Sequence, residues 1–187
     1  MKNISKFILC NLFGWKTYDQ FPPDLKKYIV IVAPHTSWID FPLGILAKTS
    51  YGLHANYIGK HTLFKRPYGF LFRALGGAPV DRSKSTNMVD AVIDIFNSRE
   101  EFILALSPEG TRKKLDKWKT GFYYVAKGAN VPIVMVAFDF SSKSISVAEP
   151  YNITGDIKTD FKHFYDFFKN IQGKYPEKFE PNFHKNL

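Results

Sequence analysis

Residues 27–34, KYIVIVAP, limit the possible folds more than any other stretch. The run is rich in β-branched residues, which are stiff at χ1 and favour a pleated strand. It is apolar without interruption, so it predicts a buried strand rather than a half-exposed one. Further strands are expected at 54–59, at 78–82, at 101–110 running into a turn, and at 132–140. Residues 143–151 alternate and read as an edge strand. Helical patterns lie between them at 39–51, 66–77, 85–100, 119–133 (a helix, a glycine stop and the entry to the next strand) and 158–175. In 85–100, Ser85 or Thr86 would cap a helix whose apolar side is Met88, Val89, Val92, Ile93 and Phe96. In 158–175, Phe161, Phe164, Phe168 and Ile171 share one stripe. This alternation predicts an α/β fold: a single domain with a mixed, mostly parallel central sheet flanked by helices.

A chain of 187 residues is long enough to bury one core of ordinary size. Its 45% apolar content argues against disorder. The 17% aromatic content calls for a large core or a surface that meets something greasy. A net charge of +9 attracts nucleic acid, anionic lipid headgroups or phosphorylated small molecules without choosing among them. The single cysteine, Cys10, excludes a disulfide framework and a cysteine-based zinc site. No stretch is long and apolar enough for a spanning helix. The N-terminal segment, with Ile4, Phe7, Ile8, Leu12 and Trp15 roughly on one helical face, suits either packing on the domain or a place in the membrane interface. Residues 173–187, GKYPEKFEPNFHKNL, read as a poorly ordered surface tail.

Polar chemistry collects where the expected strands end, which is where open α/β sheets build their sites. His35 and Asp40 follow the first buried strand. Pro42 tolerates only the first turn of a helix, so the helix starts near Ile39 to Phe41 and His35 stays in the loop. A loop doubling back would set the Asp40 carboxylate on one ring nitrogen and leave the other free to take a proton. Simple helix capping by Ser37 or Asp40 explains the same residues. In "LSPEGTRKK", Gly110 permits a tight turn from which Glu109 and Arg112 project. In "GGAPVDRSKS", Arg82 follows a very short strand. Either stretch serves as a phosphate site or as a solvated turn. "VPIVMV" is core strand. No G-x-S-x-G nucleophile is present, so a histidine base would act on a substrate hydroxyl or water.

Taken together and in order, these stretches resemble the four motifs of the glycerolipid acyltransferase family, which includes the lysophosphatidic acid acyltransferases. His35 to Asp40 matches its His-x4-Asp motif, and "GGAPVDRS" resembles its glycine-rich second motif. "SPEGTR" resembles Phe-Pro-Glu-Gly-Thr-Arg, with Ser107 in place of the Phe. "VPIVMV" resembles Val-Pro-Ile-x-Pro-Val, with Met135 in place of the second Pro. The resemblance implies a glycerolipid acyltransferase-like fold in which His35 is the general base and Asp40 orients it. It implies that Arg82, Ser107, Glu109, Gly110, Thr111 and Arg112 bind the substrate, with Glu109, Gly110 and the two arginines on its phosphate-bearing part.

The expected reaction moves a fatty acyl group from acyl-CoA or acyl carrier protein to the hydroxyl of a lysophospholipid such as 1-acylglycerol 3-phosphate, in phospholipid biosynthesis. No metal or bound cofactor is implied. The organisation expected is an amphipathic or interfacial segment over 1–20, an acyltransferase domain over 21–175 and a tail over 176–187. The place expected is cytoplasmic and peripheral, at the inner face of the membrane. A polar-lipid acceptor of the ornithine-lipid type keeps the chemistry and changes the substrate. A non-catalytic lipid-binding domain is the next alternative. A nucleic-acid-binding module would rest on charge and aromatic content alone, with no matching motif, so nucleic acid is not expected as a partner.

Overall fold

In the computed structural model, residues 2–80 and 88–179 are described. Ser85 and Thr86, expected as a cap, lie outside the described residues, as do Arg82 and residues 180–187. The strands are β1 (Lys16–Thr17), β2 (Lys27–Ala33), β3 (Ala55–Lys60), β4 (Gly77–Val80), β5 (Phe102–Leu106), β6 (Ile133–Asp139) and β7 (Ser144–Val147). Among the described residues they form one sheet in the order β1-β7-β6-β2-β5-β3-β4. Every pairing is parallel except that of β6 with β7. The expected mixed, mostly parallel sheet is therefore present, with β2 at its centre.

The position of β2 follows from its pattern. Successive side chains point to opposite faces of a strand. Ile29, Ile31 and Ala33 enter one core, whereas Tyr28, Val30 and Val32 enter the other. The first core is covered by α4 (Met88–Ser98), α5 (Gly121–Ala129) and α6 (Ile157–Phe168), the second by α2 (Asp40–Tyr51). The expected Phe stripe of α6 is real: Phe161, Phe164 and Phe168 are buried against α5 and the sheet. Burying such a side chain is worth roughly 2 kcal/mol.

Several local expectations are corrected. Residues 143–151 are not the sheet edge, because the two-residue β1 pairs outside β7. So short a strand carries no readable alternation. The helix expected over 66–77 is only α3 (Gly69–Ala74), which follows a 3-10 turn at His61–Phe64. Gly128 does not stop α5. It sits within the helix, where a Cβ would run into the tip of Ile93 from α4, so the glycine lets the two helices pack closely. The helix ends instead at Asn130 in the left-handed region, φ 51°.

At the N-terminus, α1 (Lys2–Phe7) passes into a π-type turn over Ile8–Leu12, marked by Phe13 N–H donating to Ile8 O. The wider winding shifts the phase of the face. Leu9 and Trp15 become buried, while Ile4, Phe7 and Leu12 point outward instead of sharing one face with Trp15. No helix among the described residues is long and apolar enough to cross a membrane. Residues 173–179, expected as a poorly ordered tail, pack on the domain, with the Phe179 ring buried in the core with α6. The aromatic at their end explains why: it has a core to enter.

Asp160 ties α6 to the loop before it. Its fully buried carboxylate accepts hydrogen bonds from Tyr123 Oη (3.0 Å), Tyr151 Oη (2.8 Å), Thr154 N (2.9 Å), Thr154 Oγ1 (2.8 Å) and Gly155 N (3.2 Å). Burial pushes its pKa up, but the donors from Thr154, Tyr151 and Tyr123 together outweigh it and hold the group below the usual aspartate value. A carboxyl depressed in the folded state stabilises above its unfolded pKa and loses that contribution as pH falls. Asp160→Asn is expected to cost about 2–4 kcal/mol at pH 7 in denaturant unfolding, and the gap to wild type is expected to narrow below about pH 4.

Candidate active site

The parallel register of the two central strands builds the site. Ile31 of β2 pairs with Leu106 of β5, so the loops that leave both strands emerge side by side. His35 N–H points at the Glu109 carboxyl, at 3.0 Å from Oε1 and 2.9 Å from Oε2. Pro42 lies in the first turn of α2, which begins at Asp40 as the proline requires. Asp40 does not cap α2, whose N-cap residue is Ile39 with no side-chain cap hydrogen bond; it ties down the loop before the helix and faces His35. Its Oδ2 accepts Thr36 N–H (2.9 Å) and Ser37 N–H (2.8 Å), closing the loop over the helix start. The same oxygen stands 3.2 Å from His35 Nδ1. The carboxylate thereby selects the ring orientation and leaves Nε2 for another partner. The His35 side chain keeps 29% of its surface exposed, against 3% for Asp40.

His35 and Asp40 open on a cavity of about 790 Å³. Val30, Val32, Val136 and Phe138 from the sheet and Gly44 and Ala47 from α2 give it an apolar wall. Phe41 guards one side, edge-on to Tyr57 at 5.2 Å. Ser107 and Gly110 line the mouth. Gly110 has φ +64° and donates its N–H to Ser107 O (3.1 Å), which turns the chain sharply after β5. Thr111 is half-buried, its Oγ1 accepting Lys113 N–H. Arg112 is exposed and is not among the residues lining the cavity. Arg82 lies outside the described residues.

The mouth has a cation that sequence reading passed over. Lys119 lines the cavity, its Cγ 3.5 Å from where a Cβ on Gly110 would stand, and its N–H donates to Pro108 O (2.8 Å). Nothing in the local sequence sets it apart from Lys113, Lys114 and Lys117. Lys48 was missed as well. It lines the cavity from α2 and donates to Ala55 O and Leu75 O, both at 2.8 Å. Burial lowers its pKa.

A family model described as Acyltransferase matches residues 16–139. The chain is 27% identical over 152 residues to the 1-acyl-sn-glycerol-3-phosphate acyltransferase of Escherichia coli K12, covering 77% of this chain and 61% of that protein. It is 29% identical over 148 residues to the protein of the same name from Salmonella typhimurium, covering 74% and 59%. The chain thus spans about 60% of the length of these curated relatives. Among solved structures it resembles the crystal structure of the 1-acyl-sn-glycerophosphate (LPA) acyltransferase PlsC from Thermotoga maritima. That match has a TM-score of 0.64 at 18% identity, covering 90% of this chain and 75% of the other.

Glu109 sets the charge state of the site. Only 5% of it is exposed. Burial is the largest influence and pushes its pKa to about 8; the His35 N–H opposes the rise and the nearby Asp40 charge adds to it. Near neutral pH the group mostly holds its proton, so two carboxyls share a small space with one formal charge. A carboxyl raised in the folded state takes up a proton on folding, and stability falls as pH climbs from the unfolded value toward the folded one. Wild type and Glu109→Gln are expected to melt within about 2 °C of each other at pH 5. By pH 9 the Gln variant is expected to melt about 5 °C higher, as followed by thermal scans in matched buffers.

Proposed function

The chain belongs to the acyltransferase family, and on that premise we propose that it carries a fatty acyl group from a thioester to the free hydroxyl of a lysophospholipid such as 1-acylglycerol 3-phosphate, in phospholipid biosynthesis. The observation that carries this reading is the His35 Nδ1–Asp40 Oδ2 pair at the mouth of a cavity with an apolar wall. An apolar wall of that extent suits an alkyl chain.

The step balances without a protein nucleophile. His35 Nε2 takes the proton of the acceptor hydroxyl as its oxygen attacks the thioester carbonyl. The tetrahedral intermediate collapses to the new oxygen ester, and the departing thiolate recovers the proton from the imidazolium. Asp40 stabilises the imidazolium and keeps Nδ1 protonated. The thioester is already activated, so the step draws on no metal or bound cofactor. The donor is acyl-CoA or acyl carrier protein.

Neutral Glu109 holds the His35 backbone from below. Lys119, with Arg112 and Arg82, supplies the positive charge for the acceptor phosphate, beside Ser107, Gly110 and Thr111 at the turn.

The protein works at a bilayer surface, on the cytoplasmic side. Ile4, Phe7 and Leu12 on the N-terminal helix, and Tyr68, Phe70 and Leu71 at α3, are large apolar side chains left exposed. From Phe41 to Val80 the sequence contains Lys and Arg but no Asp or Glu, a local charge bias that suits anionic headgroups.

Purified protein is to be given acyl-CoA or acyl carrier protein with a panel of lysophospholipid and other polar-lipid acceptors, read by mass spectrometry. Diacyl product from lysophosphatidate is expected. His35→Ala is expected to lose activity by about 10³-fold while keeping its circular dichroism spectrum. Acylation of no acceptor, or full activity in His35→Ala, defeats the reading.

A further inference from the structure

The segment after α6 does more than end the chain. Its path is pinned at three places. Phe140 N–H, just past β6, donates to Gln172 O (2.8 Å). Tyr175 N–H donates to Thr36 Oγ1 (3.1 Å). Phe179 then buries its ring in the core with α6. Between the first two pins, Gly173 lies flat on the loop that carries His35. A Cβ at Gly173 would meet Thr36 Oγ1 at 2.7 Å and Pro34 Cβ at 3.0 Å.

Thr36 is the residue where this segment and the site meet. It is 1% exposed. Its backbone N–H holds Asp40 Oδ2 (2.9 Å), the oxygen that faces His35 Nδ1, while its side-chain oxygen is held by the Tyr175 N–H. Residues 34–39 form no helix or strand that would hold them by their own hydrogen bonds. Their position is therefore set by Asp40 and the Glu109 carboxyl on the site side and by residues 173–175 behind.

We propose that residues 172–175 are a strap that fixes the His35 loop from behind, with Thr36 and Gly173 as positioning residues for the His35–Asp40 pair. The proposal rests on the acyltransferase reading for its catalytic consequence. Misplacing a general base by about 1 Å costs on the order of 10²-fold in rate even when substrates still bind.

Thr36→Val keeps the branched shape and removes the acceptor for Tyr175 N–H; Thr36→Ser keeps the acceptor. Thr36→Val is expected to lower kcat about 10- to 100-fold with KM for both substrates within about twofold, and Thr36→Ser to stay within about threefold of wild type. Gly173→Ala, which presses on the same contact from the other side, is expected to show the same kcat loss and serves if Thr36→Val does not fold.

The ¹⁵N–¹H imidazole correlations of His35 report the ring's pairing with Asp40 without substrate. The Nδ1–H signal is expected to stay sharp in wild type and Thr36→Ser, and to broaden or vanish in Thr36→Val. Wild-type kcat in Thr36→Val, equal losses in the Val and Ser variants, or a lower melting temperature with unchanged kcat overturns the strap. If wild type acylates no acceptor, the enzyme reading fails on its own. The imidazole spectra then decide: an unaltered His35 signal in Thr36→Val overturns the strap, and selective loss supports it.

Discussion

The site depends on one oxygen atom, Asp40 Oδ2. It accepts the backbone N–H groups of Thr36 and Ser37 and faces His35 Nδ1. The same atom therefore closes the loop after β2 and orients the imidazole. Because one carboxylate does both, the loop cannot shift without moving the ring. Hydrogen bonds to an ionised acceptor are about twice as strong as neutral ones, which suits a loop with no regular structure of its own.

Around that oxygen the fold solves an electrostatic problem. Glu109 comes from the loop after the neighbouring strand β5 and is buried beside the His35 loop. Two charged carboxylates in so little water would repel each other strongly. Burial resolves the conflict by keeping Glu109 protonated up to about pH 8. A neutral carboxyl can still accept the His35 N–H, so backbone support is retained without a second negative charge beside the base. Asp160 shows the opposite outcome elsewhere in the molecule. It too is buried, yet enough donors converge on it to keep it ionised. What separates the two carboxyls is the stronger desolvation of Glu109 and the Asp40 charge beside it, against the several donors that converge on Asp160.

Much of this was legible in the sequence, for local reasons. The uninterrupted apolar run of β2 demanded cover on both faces and received it. The Phe stripe of α6 declared its buried side, and Pro42 located the start of α2 to within a residue. The spacing from His35 to Asp40 raised a catalytic pair and a helix cap as alternatives; the structure pairs Asp40 with His35 and gives its other bonds to the loop before α2 rather than to the helix N-terminus. Less legible were features whose determinants are distant. The π-type turn after α1 rotates Leu9 inward, Gly128 answers to Ile93 on another helix, and β1 is too short to carry a pattern.

By itself, the sequence determined the fold class, the order of its main elements and the chemical character of three strand ends, because periodicity and turn chemistry act over a few residues. Only the tertiary structure decided which of those residues meet. Parallel pairing of β2 with β5 brings Glu109 under His35. Packing around the loop after β5 sets Lys119, rather than Arg112, on the cavity wall. The return of the chain after α6 lays Gly173 and Tyr175 on Thr36, across 139 residues of sequence in the case of Tyr175. No local pattern encodes such a meeting, since it depends on the summed path of every element between the two residues.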